Sequence, residues 1–193
     1  YCTLKDVDTS PAYKFVGGTY TIATNMNYDT LMLSFVETLT LTTVRITFPE
    51  GSTVDEIIAL FEANGCSDRE AFRECMKTYD FGAEYEFLKD IDMTGRYYLL
   101  EGYLYPDTYD FYTDSSEIDA ISKLLYTFNV RFEEAYYDRC EELSMSVDDI
   151  INIASIVQME TKYESEYETV SSLYHNRLNA PSRFPRLQCD STY

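Results

Sequence analysis

The stretch IASIVQMETKYESEYETVSSLYHNRL, residues 153–178, decides how the second half of this chain is read. Ile153, Ile156 and Val157 recur at three- and four-residue steps, the period of a helix with one apolar face. Ser146 is placed to cap that helix, with Asp149 three residues on reaching back as in a capping box. At about 100° per residue, Ile150, Ala154 and Val157 centre the apolar face. Ile153 and Ile156 widen one flank, and Glu160 falls between those two in projection. Gln158 lies towards the opposite flank with Ile151. Spacing alone leaves two readings of Glu160 open. It is a solvated helix end, or it is a partly desolvated carboxyl, and desolvation favours the neutral form that can protonate a leaving oxygen.

Upstream, DMTGRYYLLEGYLYPDTYDFYTDSS, residues 92–116, is dense in Tyr, broken by Gly102 and Pro106, and carries Glu101, Asp107 and Asp110. No clean period runs through it, so it is expected to be an ordered loop lining a site. Residues 116–143 read as one long amphipathic helix, with Ile118, Ile121, Leu125, Phe128 and Phe132 on its stripe. Towards the N-terminus, residues 19–24 alternate like a short strand. Residues 26–37 place Leu31, Met32 and Phe35 at helical spacing, and residues 38–48 are rich in Thr, Val and Ile, as strands are. Ser52 or Thr53 then caps a helix striped by Ile57, Leu60 and Phe61, which Gly65 ends. Ser67 starts another, with Glu70 as its capping-box partner. The pattern predicts an α+β fold in two packed parts divided near residue 95: a small α/β part over 1–95 and a mostly helical part over 96–193.

Composition narrows the function classes. With 193 residues and an apolar share of 45%, the chain is long enough to bury a sizeable core. The 34 acidic against 15 basic side chains give a net charge of −19, a field that repels nucleic acid and anionic lipid heads. No basic stripe offsets it. The 19 tyrosines suit a sugar or peptide groove as well as the rims of ordinary cores. Five cysteines without a CxxC pair argue against a zinc site and against a disulfide scaffold, and are read as buried free thiols. His175 is the single histidine, so neither a His-based triad nor a multi-His metal site can be built, and it is read as a surface or capping residue. No apolar run is long enough to span a membrane, and no secretory leader is visible. The abrupt ends read as those of a fragment of a longer protein.

Taken in order, IASIVQMET, VSSLYHNRL and LQCDSTY resemble the motifs of the MltG/YceG-like endolytic murein transglycosylases. LEGYLYPDTYDF (100–111) is similar to that family's E-G-x-x-x-P-D-T-Y element, and GGTYTI and VRITFPEGSTVDEIIALF are similar to its membrane-proximal half. The resemblance implies a truncated LysM-like remnant in the first part and a catalytic domain in the second, cut short at its C-terminal end. It implies cleavage of the β-1,4 bond between N-acetylmuramic acid and N-acetylglucosamine within a glycan strand, with Glu160 as the one general acid/base. Glu101, Asp107, Asn176, Arg177, Gln188 and Asp190 are then expected to contact or orient substrate, Arg177 also by pairing with Asp190. No cofactor or metal is implied. The implied partners are peptidoglycan strands and cell-wall synthases of the penicillin-binding class, with no nucleic acid. A single-pass membrane anchor is expected outside this stretch, and the catalytic domain on the extracytoplasmic side. The chain departs from the pattern at Gln158, often acidic in the family, and at Cys189 and Ser191 beside Asp190. A non-catalytic glycan-binding module, or a muramidase using Glu101 as a second carboxylate, remain alternatives.

Overall fold

The computed structural model describes residues 20, 22, 26–36, 43–89, 91–113 and 115–189. Within them the fold is mixed α and β, mostly helical with a small two-stranded sheet. The chain divides into two compact units between Thr42 and Thr43, so the boundary expected near residue 95 falls inside the second unit. Of the first unit, helix α1 (Tyr28–Val36) is described. It starts where the Asn27 side chain accepts the Thr30 N–H at 2.8 Å, and Phe35 meets the Tyr20 ring edge-on at 5.0 Å. The strand expected over 19–24 and the LysM-like character lie largely outside the described residues.

The second unit begins with β1 (Thr43–Thr47), paired antiparallel to β2 (Thr108–Tyr112) with Ile46 opposite Tyr109 and Val44 opposite Phe111. The strand expected over 38–48 thus appears in its second half, and residues 38–42 lie outside the described set. β2 corrects the expectation of a loop over 92–116. Its alternate residues Tyr109 and Phe111 are buried and their neighbours exposed, the period of a half-buried strand. On the outer face Arg45 grips Asp110 with two hydrogen bonds of 2.7 and 3.0 Å. Both side chains are well exposed, so the pair fixes register more than it adds stability.

Helix α2 (Val54–Ala63) has Thr53 as its N-cap, in a capping box closed by Glu56. Helix α3 (Arg69–Thr78) is capped by Asp68, not Ser67, because the Ser67 hydroxyl is drawn off to Glu117. Two single 3-10 turns at Phe81–Ala83 and Glu86–Leu88 follow. The helix expected over 116–143 is two helices, α4 (Glu117–Arg131) and α5 (Glu134–Leu143). The chain turns at Phe132, whose ring stacks on Phe128 at 5.4 Å and meets Tyr137 edge-on at 4.9 Å, a corner held by aromatic packing with no Pro or Gly to announce it. The core joins both sheet strands to α2, α3 and α4, and Phe61 lies at its centre, stacked on Phe72 at 4.5 Å with Phe48 at 5.0 Å.

Helix α6 (Val147–Glu160) starts at the capping box of Ser146 and Asp149, as expected, and α7 spans Glu164–Leu178. Val147 and Ile151 pack on the main core. Ile153 and Val157 instead bury against Tyr174 of α7 and Cys189, a second small cluster. Ala154, placed by the wheel at the centre of the apolar face, is exposed. The buried face is rotated towards Ile153, and Glu160 continues it. The thiols of Cys66 and Cys140 are free and buried, that of Cys75 is free and half-buried, and Cys189 is buried.

Candidate active site

Helix α6 is a wall between two environments. On one side lies a cleft of about 720 Å³. Its floor and rims come from the Gly51 turn, the start of α2, the 92–106 segment, and the α6 residues Asp148, Ile151, Asn152, Ser155 and Gln158. On the other side α7 closes on Ile153 and Val157.

The cleft wall is tied by one polar network. Arg96 Nη2 donates to both oxygens of Asp148, at 2.6 and 2.8 Å, and to Asn152 Oδ1 at 3.3 Å. The hydroxyl of fully buried Tyr103 donates to Asp148 Oδ1 at 2.7 Å. Burial first, then the Asp148 carboxylate, holds the Tyr103 phenol well above its ordinary pKa. The Arg96 and Asp148 side chains keep 12% and 22% of their surface, so this pair is screened far less than a surface one. It pins the start of α6 to the segment that carries Glu101. The sequence held a signal for it: Asp148, Asn152 and Ser155 recur at helical spacing as a polar stripe, as a cleft-facing wall requires. Arg96, Asp148, Tyr103 and Asn152 were nevertheless not anticipated.

Glu101 reaches the cleft as expected, but its carboxylate sits at the N-terminus of α2, where both oxygens take the Val54 N–H at 3.2 and 3.3 Å. The residue keeps surface on the open side of the cleft. Desolvation of its carboxyl end still pushes its pKa up, with Asp55 and Glu56 adding to the rise and the Val54 N–H and Arg96 opposing it. A carboxyl raised in the native state binds its proton more tightly folded than unfolded. Stability therefore falls as pH rises from the ordinary carboxylate range through the raised value. Glu101→Gln keeps an acceptor for Val54 and is expected to melt higher than the parent at pH 7, losing that advantage below about pH 4. Melting midpoints at the two pH values test this. An advantage independent of pH would rule out the carboxylate's charge as its source.

Asp107 is a turn residue: its carboxylate accepts the N–H of Thr108 at 2.7 Å and its carbonyl accepts that of Phe48 at 3.0 Å. It is exposed at the entry to β2 and does not line the cleft.

Glu160 is the last residue of α6 and half-buried. It is not among the residues lining the cleft that holds Glu101 and Gln158. The Tyr174 phenol on α7 is pushed up to about 12, by burial first and then by the charges of neighbouring Cys189 and Glu160. Arg177 donates to the carbonyls of Leu187 and Gln188, the latter at 3.3 Å, and so straps the 179–189 segment onto α7. Asp190, its expected partner, lies outside the described residues. Gln188 is exposed with a left-handed φ of 54°, Asn176 is exposed on α7, and His175 is half-buried in its last turn. The expected site residues thus lie apart: Glu101 in the cleft, Asp107 at the entry to β2, Glu160 at the end of α6, and Asn176, Arg177 and Gln188 on α7 and the segment after it.

Among the described residues no helix is long and apolar enough to cross a membrane. A sequence model described as the YceG-like family matches residues 3–193 of the chain. An endolytic murein transglycosylase of Streptococcus pneumoniae is 26% identical over 146 residues, 69% of this chain and 26% of that protein. One of Bacillus subtilis is 29% identical over 93 residues, 48% of this chain and 25% of that protein. The chain therefore spans about a quarter of the length of these curated relatives. The crystal structure of a YceG-like protein from Listeria monocytogenes superposes with a TM-score of 0.63 at 27% identity, covering 86% of this chain and 56% of that one.

Proposed function

The chain belongs to the YceG-like family, and from that premise we propose that it carries the acid/base of an endolytic peptidoglycan transglycosylase. The observation that carries the reading is the setting of Glu160. It ends α6 on the helix's buried face, half-withdrawn from water and near the buried Tyr174 phenol. A helix C-terminus disfavours added negative charge, a setting that suits a group which must hold a proton until a leaving oxygen arrives.

In this mechanism Glu160 protonates the oxygen between N-acetylmuramic acid and N-acetylglucosamine. The C1–O bond breaks, and the glucosamine unit leaves with a 4-hydroxyl. The Glu160 carboxylate then accepts the proton of the muramyl 6-hydroxyl, whose oxygen closes on C1 as a 1,6-anhydro ring. Glu160 ends protonated, as it began, and no water is consumed. One carboxyl suffices, unlike the paired carboxylates of glycoside hydrolysis, because the ring's own hydroxyl is already beside the reacting carbon. The Glu101 cleft and the exposed amides of Asn176 and Gln188 flank α6 and α7, where glycan hydroxyls and N-acetyl groups would be held. The work is extracytoplasmic, on strands supplied by cell-wall synthases.

Mass spectrometry of peptidoglycan digested by the protein tests the reading. Products ending in 1,6-anhydromuramic acid are expected. Reducing ends alone would make the protein a muramidase, and intact strands with a folded protein would make it a binding module.

A further inference from the structure

We propose that the cleft beside α6 seats an N-acetylated sugar, with the Tyr97 ring as its stacking platform and the Gln158 carboxamide reading its acetamido group. The proposal rests on the transglycosylase reading, which makes a peptidoglycan strand the substrate. The cleft holds about 720 Å³, within the range of about 300–1,000 Å³ common to small-ligand sites.

Tyr97 lines the cleft with 82% of its surface exposed, yet the residues on both sides of it are anchored. Arg96 is tied to α6 through Asp148 and Asn152. Tyr98 is buried, and its hydroxyl is held between the Arg73 guanidinium and the Asp55 carboxylate, each at 3.1 Å. The rings of Tyr97 and Tyr98 meet edge to face, with centroids 4.7 Å apart and planes at 88°. A tyrosine between two fixed residues is placed before a ligand arrives, and its two torsions cost little to order. At least one face of its ring stays open. That face carries the negative side of the ring quadrupole, which suits the C–H face of a pyranose.

The charges of the cleft favour a neutral ligand. Asp92, Glu101 and Asp148 line it against Arg96, and the Arg96 guanidinium is already taken up by Asp148. The start of α2, where a helix N-terminus is ready for an anion, is filled by the Glu101 carboxylate. An anionic polymer finds no open cation among the described lining residues, whereas a neutral sugar needs none. Gln158 lines the same cleft from α6, and its carboxamide hydrogen-bonds to none of the described residues. A Cβ built on Gly51 would stand 3.8 Å from its Cδ and Nε2, so the carboxamide lies against the Gly51 turn. It offers both a donor and an acceptor, the pair that the C=O and N–H of an acetamido group require. Half-buried Ile151 and Ile156 on the same wall suit the acetyl methyl. The lining continues to Met159, the residue before Glu160, so a strand seated here runs on towards the acid.

The experiment is calorimetric titration of the protein with chitotetraose, whose four sugars are N-acetylated, and with cellotetraose, which has no acetamido group. Chitotetraose is expected to bind the more tightly. Tyr97→Ala should weaken both about tenfold, as one aromatic contact supplies, and Tyr97→Phe should change either less than about twofold. Gln158→Leu should weaken chitotetraose alone, about fivefold, as for one hydrogen bond, and so erase the preference. Both positions are exposed, so these variants keep the fold, and an unchanged melting midpoint checks it.

Parental affinity in Tyr97→Ala, or an equal loss in Tyr97→Phe, overturns the stacking platform. A chitotetraose preference that survives Gln158→Leu overturns the acetamido contact, and a parent that binds the two sugars alike, or neither, overturns the seat altogether. The digestion products of peptidoglycan separate this from the reading beneath it. Anhydromuramyl ends made by a protein whose Tyr97→Ala variant binds chitotetraose unchanged would sink the seat and leave the transglycosylase standing. The expected binding pattern without anhydromuramyl ends would sink the transglycosylase and leave the seat.

Discussion

Glu160→Gln lowers turnover by about 10²–10⁴-fold, the range that general acid–base catalysis typically supplies. Glutamine keeps the size of glutamate, but it has no proton to give to a leaving oxygen. The melting temperature should hardly change, because no buried volume is removed and the half-buried side chain keeps its shape. Gln158→Glu in the same background is the control. It puts a carboxyl two residues earlier, on the exposed cleft-facing side of α6 and away from Tyr174, and is expected to restore nothing. Anhydromuropeptide release, measured by chromatography and mass spectrometry, gives the number. Near-normal release from a folded Glu160→Gln protein would return the helix end to its solvated reading.

Gly102→Ala is expected to be the costliest conservative change in the unit. Gly102 has φ +88°, a backbone conformation that L side chains rarely adopt, and a Cβ built there would stand 2.6 Å from Ile151 Cγ2. That methyl belongs to a β-branched side chain on α6, and such side chains have one strongly preferred rotamer in a helix. The helix cannot drift aside either, because Arg96 and Tyr103 hold Asp148 from the same segment as Gly102. Left-handed strain of about 1–2 kcal/mol and overpacking of about 1–3 kcal/mol together predict a loss of about 2–5 kcal/mol. At about 2–4 °C per kcal/mol for a chain of this size, the melting point should fall by roughly 5–20 °C. Ile151→Ala in the Gly102→Ala background should recover the steric part and leave the backbone part. A Gly102→Ala protein as stable as its parent would mean that the 92–106 segment is not pinned to α6 in solution.

The same two residues mark the line between local and long-range information. Gly102 and Pro106 announced a break, and the motif around them carried the family resemblance. That Gly102 faces Ile151, and that Glu101 reaches the N–H of Val54 47 residues earlier, is written nowhere within a few residues of either. β2 escaped notice for the same reason. Its alternation is visible at Tyr109 and Phe111, but the partner strand that makes it a strand is far upstream, with Arg45 and Asp110 65 residues apart. The choice of Asp68 over Ser67 as cap turned on Glu117, 50 residues from Ser67.

The sequence by itself determined the capped starts of α2 and α6, the excess of negative charge, and the ordered motifs that place the chain in its family. A capping box closes within four residues, as Thr53 with Glu56 and Ser146 with Asp149 do, so its energy is local and its signature can be read in one dimension. Tertiary structure decided the corner at Phe132, where aromatic rings rather than Pro or Gly turn the chain. It also decided which face of α6 is buried. The periodicity centred that face on Ala154, but α7 and the main core compete for the helix, and packing against Tyr174 rotated the buried side to Ile153 and Val157. That rotation sets Glu160 beside a buried phenol and Gln158 on the cleft. Side-chain direction at a helix end is fixed by what packs against it, and what packs against it arrives from elsewhere in the chain.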